Sequence, residues 1–155
     1  MTVGMDRLEA VADRLEIAEL MYRYAWAVDK WDWALLDQVF ADDAVADFSS
    51  VAEHTATDGK ARGRATVVSW LRSALEKFPD VLHFMSNPLV TFHGRDEAQV
   101  TTYMHVLHLP MGGIYHCGVR RTAQGWRIAH LRLEERRFEE AAERLEQHMK
   151  AAAGR

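Results

Sequence analysis

The residues of this chain whose types and spacing favour chemistry are one aspartate and a group of histidines. Apolar residues spaced three and four apart predict one face of a helix, formed by Leu8, Val11, Leu15, Ala18, Tyr22 and Ala25. Asp29 holds the next position of this series, so a carboxylate ends a stripe that we expect to be buried. Alternatively, Asp29 caps the following helix or pairs with Lys30 or Arg23 at the surface, and periodicity leaves both interpretations open.

Histidines are the second part of this chemistry. Of the eight in the chain, four lie in segments that we predict to be strands near the centre of a sheet: His83, His105, His116 and His130. A single strand histidine is more often a hydrogen-bonded core or surface residue than a catalyst. Beside a buried carboxylate, an imidazole becomes a general base, because the carboxylate fixes its tautomer and stabilises the imidazolium that forms after proton abstraction.

Metal binding is the competing chemistry for such residues. Neither an HxxxH nor an HExxH helix occurs, and His105 and His108 are three apart on a predicted strand, so they face opposite sides. Cys117 is the single cysteine, which excludes an intrachain disulfide and a thiolate zinc cluster. We therefore predict no metal site.

Three helices are predicted around Asp29. A long helix runs from about Met5 to Val28, and a short one follows from Trp33 to Phe40 with Asp32 as its natural N-cap. A third helix covers Thr66–Phe78, where Pro79 stops it. ADDAVADF is interpreted as a turn leading into a short strand, and 49–63 as a polar loop that could cover a cavity.

The pattern then changes to strands separated by short turns, with a charged helix from Glu139 onward. The predicted strands are Val81–Phe92, Ala98–Leu109, Ile114–Arg121 and Trp126–Phe138. Helices followed by antiparallel strands predict an α+β fold. We expect a cone-shaped, curved antiparallel sheet whose N-terminal helices close a deep apolar cavity. If the long helix lies across the mouth of the cone, Asp29 points into that cavity.

Composition limits the class of protein. At 155 residues, 48% apolar and 27% charged, the chain suits one soluble globular domain spanning 1–155. The net charge of −4 and the lack of a basic face argue against nucleic acid as a partner. No run approaches the roughly 20 apolar residues of a membrane span. The first residues lack the apolar core of a signal peptide, so a cytoplasmic protein is expected.

The order of motifs resembles a known family. The start of the chain resembles the opening of SnoaL-like domains in the nuclear-transport-factor-two-like superfamily, with a long helix carrying YxxxxD, an acidic DW turn and then FxxDAVxD. The resemblance as a whole spans nearly the whole chain, to about Phe138. AVDKWDWALL resembles the aspartate-bearing turn of scytalone dehydratase and bile acid 7α-dehydratase. LHFMSN resembles the segment carrying the histidine partner in those enzymes and in hexachlorocyclohexane dehydrochlorinase.

The resemblance implies roles for particular residues. Asp29 and His83 match the catalytic Asp–His pair, and Tyr24 matches the tyrosine that precedes it in the bile acid enzyme. His105 resembles a second pocket histidine of scytalone dehydratase. Arg132 resembles an arginine near the end of the last strand of the bile acid enzyme, across a gap in the alignment.

Departures from the pattern bear on the substrate. Phe48 stands where scytalone dehydratase has a tyrosine, and Ile114 and His116 fall near its serine and asparagine. Two groups that would hold the oxygens of a scytalone-type substrate are therefore missing, and we place His116, Arg132 and Phe48 among the substrate-binding candidates. Aromatic residues could also line the cavity walls, although each is by base rate more often plain core: Trp26, Trp31, Phe84 and Tyr103.

The activity that the resemblance implies is elimination or isomerisation without a cofactor. We expect a lyase of dehydratase type acting on a small aromatic or polycyclic substrate, with His83 as base, Asp29 as its orienting partner, and Tyr24 and His105 as candidate donors. Alternatives are a polyketide cyclase or isomerase of the same fold, and a non-catalytic assembly subunit like the small subunit of ring-hydroxylating dioxygenases. An epoxide hydrolase would need a second well-placed aspartate, which we do not find.

Self-association is expected from the last predicted strands. The segment RRTAQGWRIAHLRLEERRF is apolar on alternate residues, so the outer face of the sheet needs a cover. Relatives with this opening are usually trimers. We therefore expect a homo-oligomer, with a trimer favoured over a dimer.

Overall fold

The computed structural model describes residues 6–107, 109 and 111–153. Within these residues, three α-helices are α1 Arg7–Lys30, α2 Arg64–Leu75 and α3 Phe138–Ala153, and two 3₁₀ helices are Trp33–Gln38 and Ser49–His54. The strands are β1 Phe40–Asp47, β2 Lys60–Arg62, β3 Leu82–Phe92, β4 Glu97–Leu107, β5 Met111–Thr122 and β6 Gly125–Arg137. The predicted element order is confirmed, and the predicted start at Met5 lies outside the described residues.

The strands form one sheet in the order β2-β1-β6-β5-β4-β3. It is curved and unclosed, and register shifts at 86/89 in β3 and at 118/119 in β5 mark the irregularities that bend such strands. The predicted α+β class is confirmed. One pair differs from the antiparallel prediction, because β1 runs parallel to β6. Strand direction does not follow from alternation, so the sequence could not show it.

The helix α1 packs on the sheet with a different face from the predicted one. Leu8 and Leu15, predicted to be buried, are 76% and 66% exposed. The buried face is formed by Asp13, Ile17, Leu20, Met21, Tyr24, Ala25, Ala27 and Val28. The prediction was wrong because α1 carries apolar residues on two faces, and spacing alone does not show which face meets the sheet.

A carboxylate is buried near each end of α1. Asp13, near the N-terminal end, accepts bonds from Arg121 Nη2 at 2.6 Å and from Trp126 Nε1 at 2.9 Å. The Arg121 guanidinium also stacks 4.8 Å from the Trp126 ring centroid. Asp13 therefore ties α1 to the sheet by satisfied polar contacts, while Asp29 lies in the last turn at the opposite end.

The chain turn after α1 decides between the interpretations of Asp29. Trp31 takes a left-handed conformation with φ 56° and ends the helix. Asp32 caps the following 3₁₀ helix by accepting from the Leu35 N–H at 3.2 Å, as predicted. Arg23 pairs with Glu19 at 2.9 Å. Asp29 is thus neither the cap nor the partner of Arg23.

The largest boundary differences from the prediction, of three residues or more, occur at three places. The predicted loop 49–63 contains the second 3₁₀ helix and β2, α2 ends at Leu75 rather than Phe78, and β5 begins at Met111 rather than Ile114. In the described part of the chain, no helix has the length and apolar character needed to cross a membrane.

Candidate active site

A cavity of about 350 Å³ lies between α1, α2, the second 3₁₀ helix and the inner face of the sheet. Most of its walls are apolar. They include Phe48, Trp70, Leu71, Val81, Val106 and Leu133. Phe48 and Trp70 stack with ring centroids 4.2 Å apart and an interplanar angle of 4°. Such a cavity suits a flat apolar ligand held by a few polar groups.

Asp29 and His83 are in direct contact. Oδ1 of Asp29 lies 2.6 Å from Nδ1 of His83, and Oδ2 accepts the backbone N–H of His83 at 2.9 Å. Their side chains are 8% and 5% exposed, so water competes little with these bonds. The Asp29 carboxylate therefore holds both the backbone and the imidazole ring of His83 in place.

The elements explain this placement. Residues of β3 alternate sides, and His83 faces inward while Leu82 and Phe84 face outward. His83 belongs to the cavity wall, whereas Asp29 stands behind it, off the wall. Because Nδ1 is engaged by the carboxylate, Nε2 is the ring nitrogen left for a ligand. This arrangement is the geometry of a positioned general base.

Two tyrosines form a second polar group of the wall. The hydroxyls of Tyr24 and Tyr115 lie 3.0 Å apart, and their rings meet edge to face with centroids 5.4 Å apart. Burial raises the pKa of Tyr24 well above its usual range, and burial likewise raises the pKa of Tyr115. Both hydroxyls are therefore neutral donors at physiological pH. Sequence reasoning found Tyr24 but missed Tyr115, which alternation along β5 with buried Cys117 could have indicated.

The more exposed end of the cavity carries a charged cluster that the sequence prediction also missed. Arg137 Nε lies 3.4 Å from Oε2 of Glu135, Arg137 Nη2 lies 2.6 Å from Nε2 of His54, and Arg137 forms an ion pair with Glu53. Counting by twos from Leu133 along β6 would have placed Glu135 and Arg137 on the inner face.

This charged cluster bears on metal binding. Ligand atoms of Glu53, His54 and Glu135 lie within 4.8 Å of one another, a spacing that a cation could use. The guanidinium of Arg137 already contacts all three residues. The positive charge and the donors of this cluster therefore come from Arg137, and the site does not fit a metal ion.

Several sequence-predicted residues lie away from the cavity. Met104 and Val106 of β4 line it, so Tyr103 and His105 point to the outer face. Arg132 is exposed there on β6. Cavity roles predicted for these three side chains are not supported by their placement. A slip of one residue moves a strand side chain to the other face, and at Arg132 the gap in the alignment leaves that slip uncontrolled.

Of the other three substrate-binding candidates, two lie outside the cavity and one lines it. His116 Nε2 lies 2.9 Å from Oε2 of Glu134 on the outer face. Trp26 is 63% exposed and stacks with Lys30 outside the cavity. Phe48 is the predicted substrate-binding residue that the structure does bring to the cavity wall.

The comparisons with known proteins agree with this fold. The family model described as a SnoaL-like domain matches residues 9–132. A solved structure from Novosphingobium aromaticivorans, described provisionally as an aromatic ring hydroxylase, is 30% identical, covers 80% of this chain and 89% of its own, and has a TM-score of 0.67.

Two more distant structures are similar in fold alone. A protein from Novosphingobium aromaticivorans, described provisionally as a scytalone dehydratase, is 18% identical with a TM-score of 0.69, covering 83% of this chain and 87% of its own. A hexachlorocyclohexane dehydrochlorinase from Novosphingobium barchaimii is 16% identical with a TM-score of 0.71, covering 84% of this chain and 90% of its own.

Proposed function

The chain belongs to the SnoaL-like domain family, and from that premise we propose that it is a cofactor-independent lyase of dehydratase type. Its substrate is a small aromatic or polycyclic molecule with a hydroxyl group β to an acidified C–H bond. The observation that carries the proposal is the 2.6 Å contact between Asp29 and His83 beside an apolar cavity.

In the proposed reaction, Nε2 of His83 takes the proton from carbon. The electron pair of that C–H bond forms the new C=C bond and the C–O bond breaks. The departing hydroxyl leaves as water with the proton that the His83 imidazolium returns, so His83 is ready for the next turnover. Asp29 holds Nδ1 and offsets the charge of the imidazolium. General-base catalysis of this kind typically contributes about 10² to 10⁴ in rate.

The cavity supports a flat, largely uncharged substrate. Stacked Phe48 and Trp70 form an aromatic wall, and His83 and the Tyr24–Tyr115 pair are buried polar groups of the same cavity. An ionised substrate group beside these residues would lose its hydration without gaining an opposite charge, because both tyrosine hydroxyls are neutral and a general base must be unprotonated. Solved structures described as a dehydratase and a dehydrochlorinase share the fold and are consistent with elimination chemistry.

The test is turnover of a panel of aromatic β-hydroxy ketones, followed by the absorbance of the conjugated product. We expect activity in the wild-type protein, loss of at least about 100-fold in His83→Ala, and wild-type activity in the matched control His93→Ala, since His93 is exposed. Equal activity of the two variants would contradict the proposal.

A second candidate is the non-catalytic assembly subunit. The 30% identical structure, with its description as an aromatic ring hydroxylase, favours considering it.

We also propose self-association through the outer face of the sheet, where Phe84 is 53% and Tyr103 is 52% exposed. Light scattering at micromolar concentration separates these outcomes. A stable homo-oligomer, with a trimer favoured over a dimer, supports the lyase, because an assembly subunit depends on a large partner subunit. A monomer contradicts the proposed self-association.

A further inference from the structure

Two residues behind the cavity wall hold the aromatic pair of Phe48 and Trp70 by hydrogen bonds. Oγ1 of Thr57 accepts the indole Nε1–H of Trp70 at 2.8 Å and the backbone N–H of Gly59 at 3.2 Å. The carbonyl oxygen of Gly59 in turn accepts the backbone N–H of Phe48 at 2.6 Å. The Thr57 hydroxyl therefore connects the ring of Trp70 to the backbone segment that binds Phe48.

The two rings of this aromatic pair are held to different degrees. Gly59 has a φ of 75°, and a Cβ atom there would lie 2.6 Å from the carbonyl carbon and oxygen of Phe48, so the segment lies directly against the Phe48 backbone. Phe48 is also 1% exposed, and packing on all sides fixes its ring. Trp70 is only half-buried, and its bond to Thr57 lies near the surface, so the orientation of the indole depends on this bond.

We infer that Thr57 is a positioning residue that keeps the Trp70 indole parallel to Phe48 and so gives the cavity a preference for planar ring systems. This role rests on the proposed function, since it takes the cavity as the substrate site. It narrows the substrate class to ketones whose fused rings are flat and conjugated. Such rings stack face to face or offset on an aromatic pair, whereas a puckered saturated ring of the same size cannot.

The role of Thr57 concerns recognition and not proton transfer. Thr57 acts through Trp70, while His83 is held separately by Asp29. An aromatic platform contacts the substrate equally before and during the reaction. Loss of such uniform binding raises KM and leaves kcat unchanged, which separates a positioning residue of the platform from a residue that supports the base.

The chain offers matched variants for this test. Thr57→Val keeps the shape of the side chain and removes the acceptor, and Thr57→Ala removes the same acceptor with a smaller side chain. The Trp70 Nε1–H can then bind water, because the bond lies near the surface, so both variants should fold. Thr57→Ser keeps the acceptor and is the rescue variant. Thr66→Val makes the same exchange at an exposed position of α2 and is the control.

Binding is measured by calorimetric titration with planar 2-acetonaphthone and with trans-2-acetyldecalin, its saturated and puckered counterpart. We expect the wild type to prefer the planar ketone. Thr57→Val and Thr57→Ala should bind 2-acetonaphthone about 3- to 10-fold more weakly and 2-acetyldecalin as the wild type does. Thr57→Ser and Thr66→Val should match the wild type with both ketones. With a planar substrate, KM of Thr57→Val should rise by the same factor while kcat stays within about twofold.

The orientation of Trp70 is measured in the same proteins by ¹⁹F NMR of incorporated 5-fluorotryptophan, with the Trp70 signal assigned from Trp70→Phe. The ring current of Phe48 should shift this signal in the wild type, because the rings stack with centroids 4.2 Å apart. In Thr57→Val the signal should move toward the value of the free amino acid, and in Thr57→Ser it should return.

Several results would overturn the role of Thr57. Equal affinity of the wild type for the two ketones does so without any variant, and so does a Thr57→Val protein that keeps the planar preference or the wild-type Trp70 signal. Failure of Thr57→Ser to restore both would assign the effect to packing and not to the acceptor. His83→Ala should keep the planar preference. A Thr57-dependent preference without dehydration in the wild type contradicts only the lyase, and His83-dependent dehydration with a preference independent of Thr57 contradicts only this role.

Discussion

Replacing Asp29 by asparagine separates orientation of His83 from stability of the fold. The carboxylate accepts two bonds from His83, one at Nδ1 and one at the backbone N–H. An asparagine oxygen can still accept from the backbone N–H, but its amide then donates to Nδ1. His83 must adopt the other tautomer, with its proton on Nε2, and it can no longer act as a base toward the cavity.

The free-energy change follows from the same two bonds. Bonds to a charged acceptor contribute about 1.5–3 kcal/mol and neutral ones about 0.5–1.5 kcal/mol, so exchanging both costs about 2–3 kcal/mol. Removing a carboxylate from an environment where it is 8% exposed returns a desolvation cost of several kcal/mol. We therefore expect Asp29→Asn to melt at or above the wild-type temperature, while its turnover falls by about 10² or more. Asp29→Ala, which leaves both His83 donors without an acceptor, should be destabilised by at least about 2 kcal/mol.

Calorimetry, turnover and ¹⁵N NMR of the imidazole measure these three consequences. The double variant Asp29→Asn/His83→Ala should be little worse in turnover than His83→Ala alone, because residues that act as a unit are not additive. The reasoning is refuted if Asp29→Asn melts about 10 °C below the wild type, a loss of roughly 3 kcal/mol for a chain of this size. In that case Asp29 would be a structural anchor of β3.

Three further predictions concern residues outside the Asp29–His83 pair. Asp13→Ala leaves Trp126 Nε1 and Arg121 without their acceptor. The free energy of unfolding should fall by about 2–3 kcal/mol and the melting temperature by about 4–10 °C, while ¹⁵N NMR shows the His83 tautomer unchanged. His105→Ala should keep turnover within about threefold, since His105 is on the outer face; a loss of about 100-fold would return it to the reaction. Burial raises the pKa of the Cys117 thiol to about 12, so the folded protein holds this proton more tightly than the unfolded chain. The contribution of this thiol to the free energy of unfolding is therefore complete below about pH 8 and should decline as the pH rises toward 12. Denaturant titrations from pH 8 to 11 check this, and Cys117→Ala should flatten the decline.

The fold was within reach of the sequence because it rests on ordered patterns, and the Asp29–His83 pair was within reach through the resemblance to known dehydratases. Helical spacing, the Asp32 cap and the alternation of the later strands predicted the elements. The resemblance of AVDKWDWALL and LHFMSN to the aspartate- and histidine-bearing segments of known dehydratases implied the pair. The stripe that led to Asp29 was nevertheless assigned to the wrong side of α1. Asp29 does continue a buried row, but a different one, formed by Ile17, Met21 and Ala25 at four-residue spacing, and its carboxylate contacts His83.

The direction of individual strand side chains was only partly predicted from the sequence. Choosing His105 instead of Val106, or Arg132 instead of Leu133, is an error of one residue, and each such error exchanges the cavity for the outer face. The charged cluster around Arg137 forms between β6 and the second 3₁₀ helix, which are far apart in the chain. Alternation relates Glu135 to Arg137, but no local pattern relates these two residues to Glu53 and His54, so packing brings the two pairs together.

Proton abstraction by His83 can be measured directly, without elimination, as exchange of α protons for deuterium. The wild-type protein is incubated with 2-acetonaphthone in D₂O, and loss of the methyl proton signal is followed by NMR. We predict exchange well above buffer in the wild type and in His93→Ala, and a rate reduced by about 10² or more in His83→Ala and Asp29→Asn. Exchange that is equally fast in His83→Ala, or no exchange above buffer in the wild type, would contradict the assignment of His83 as the base.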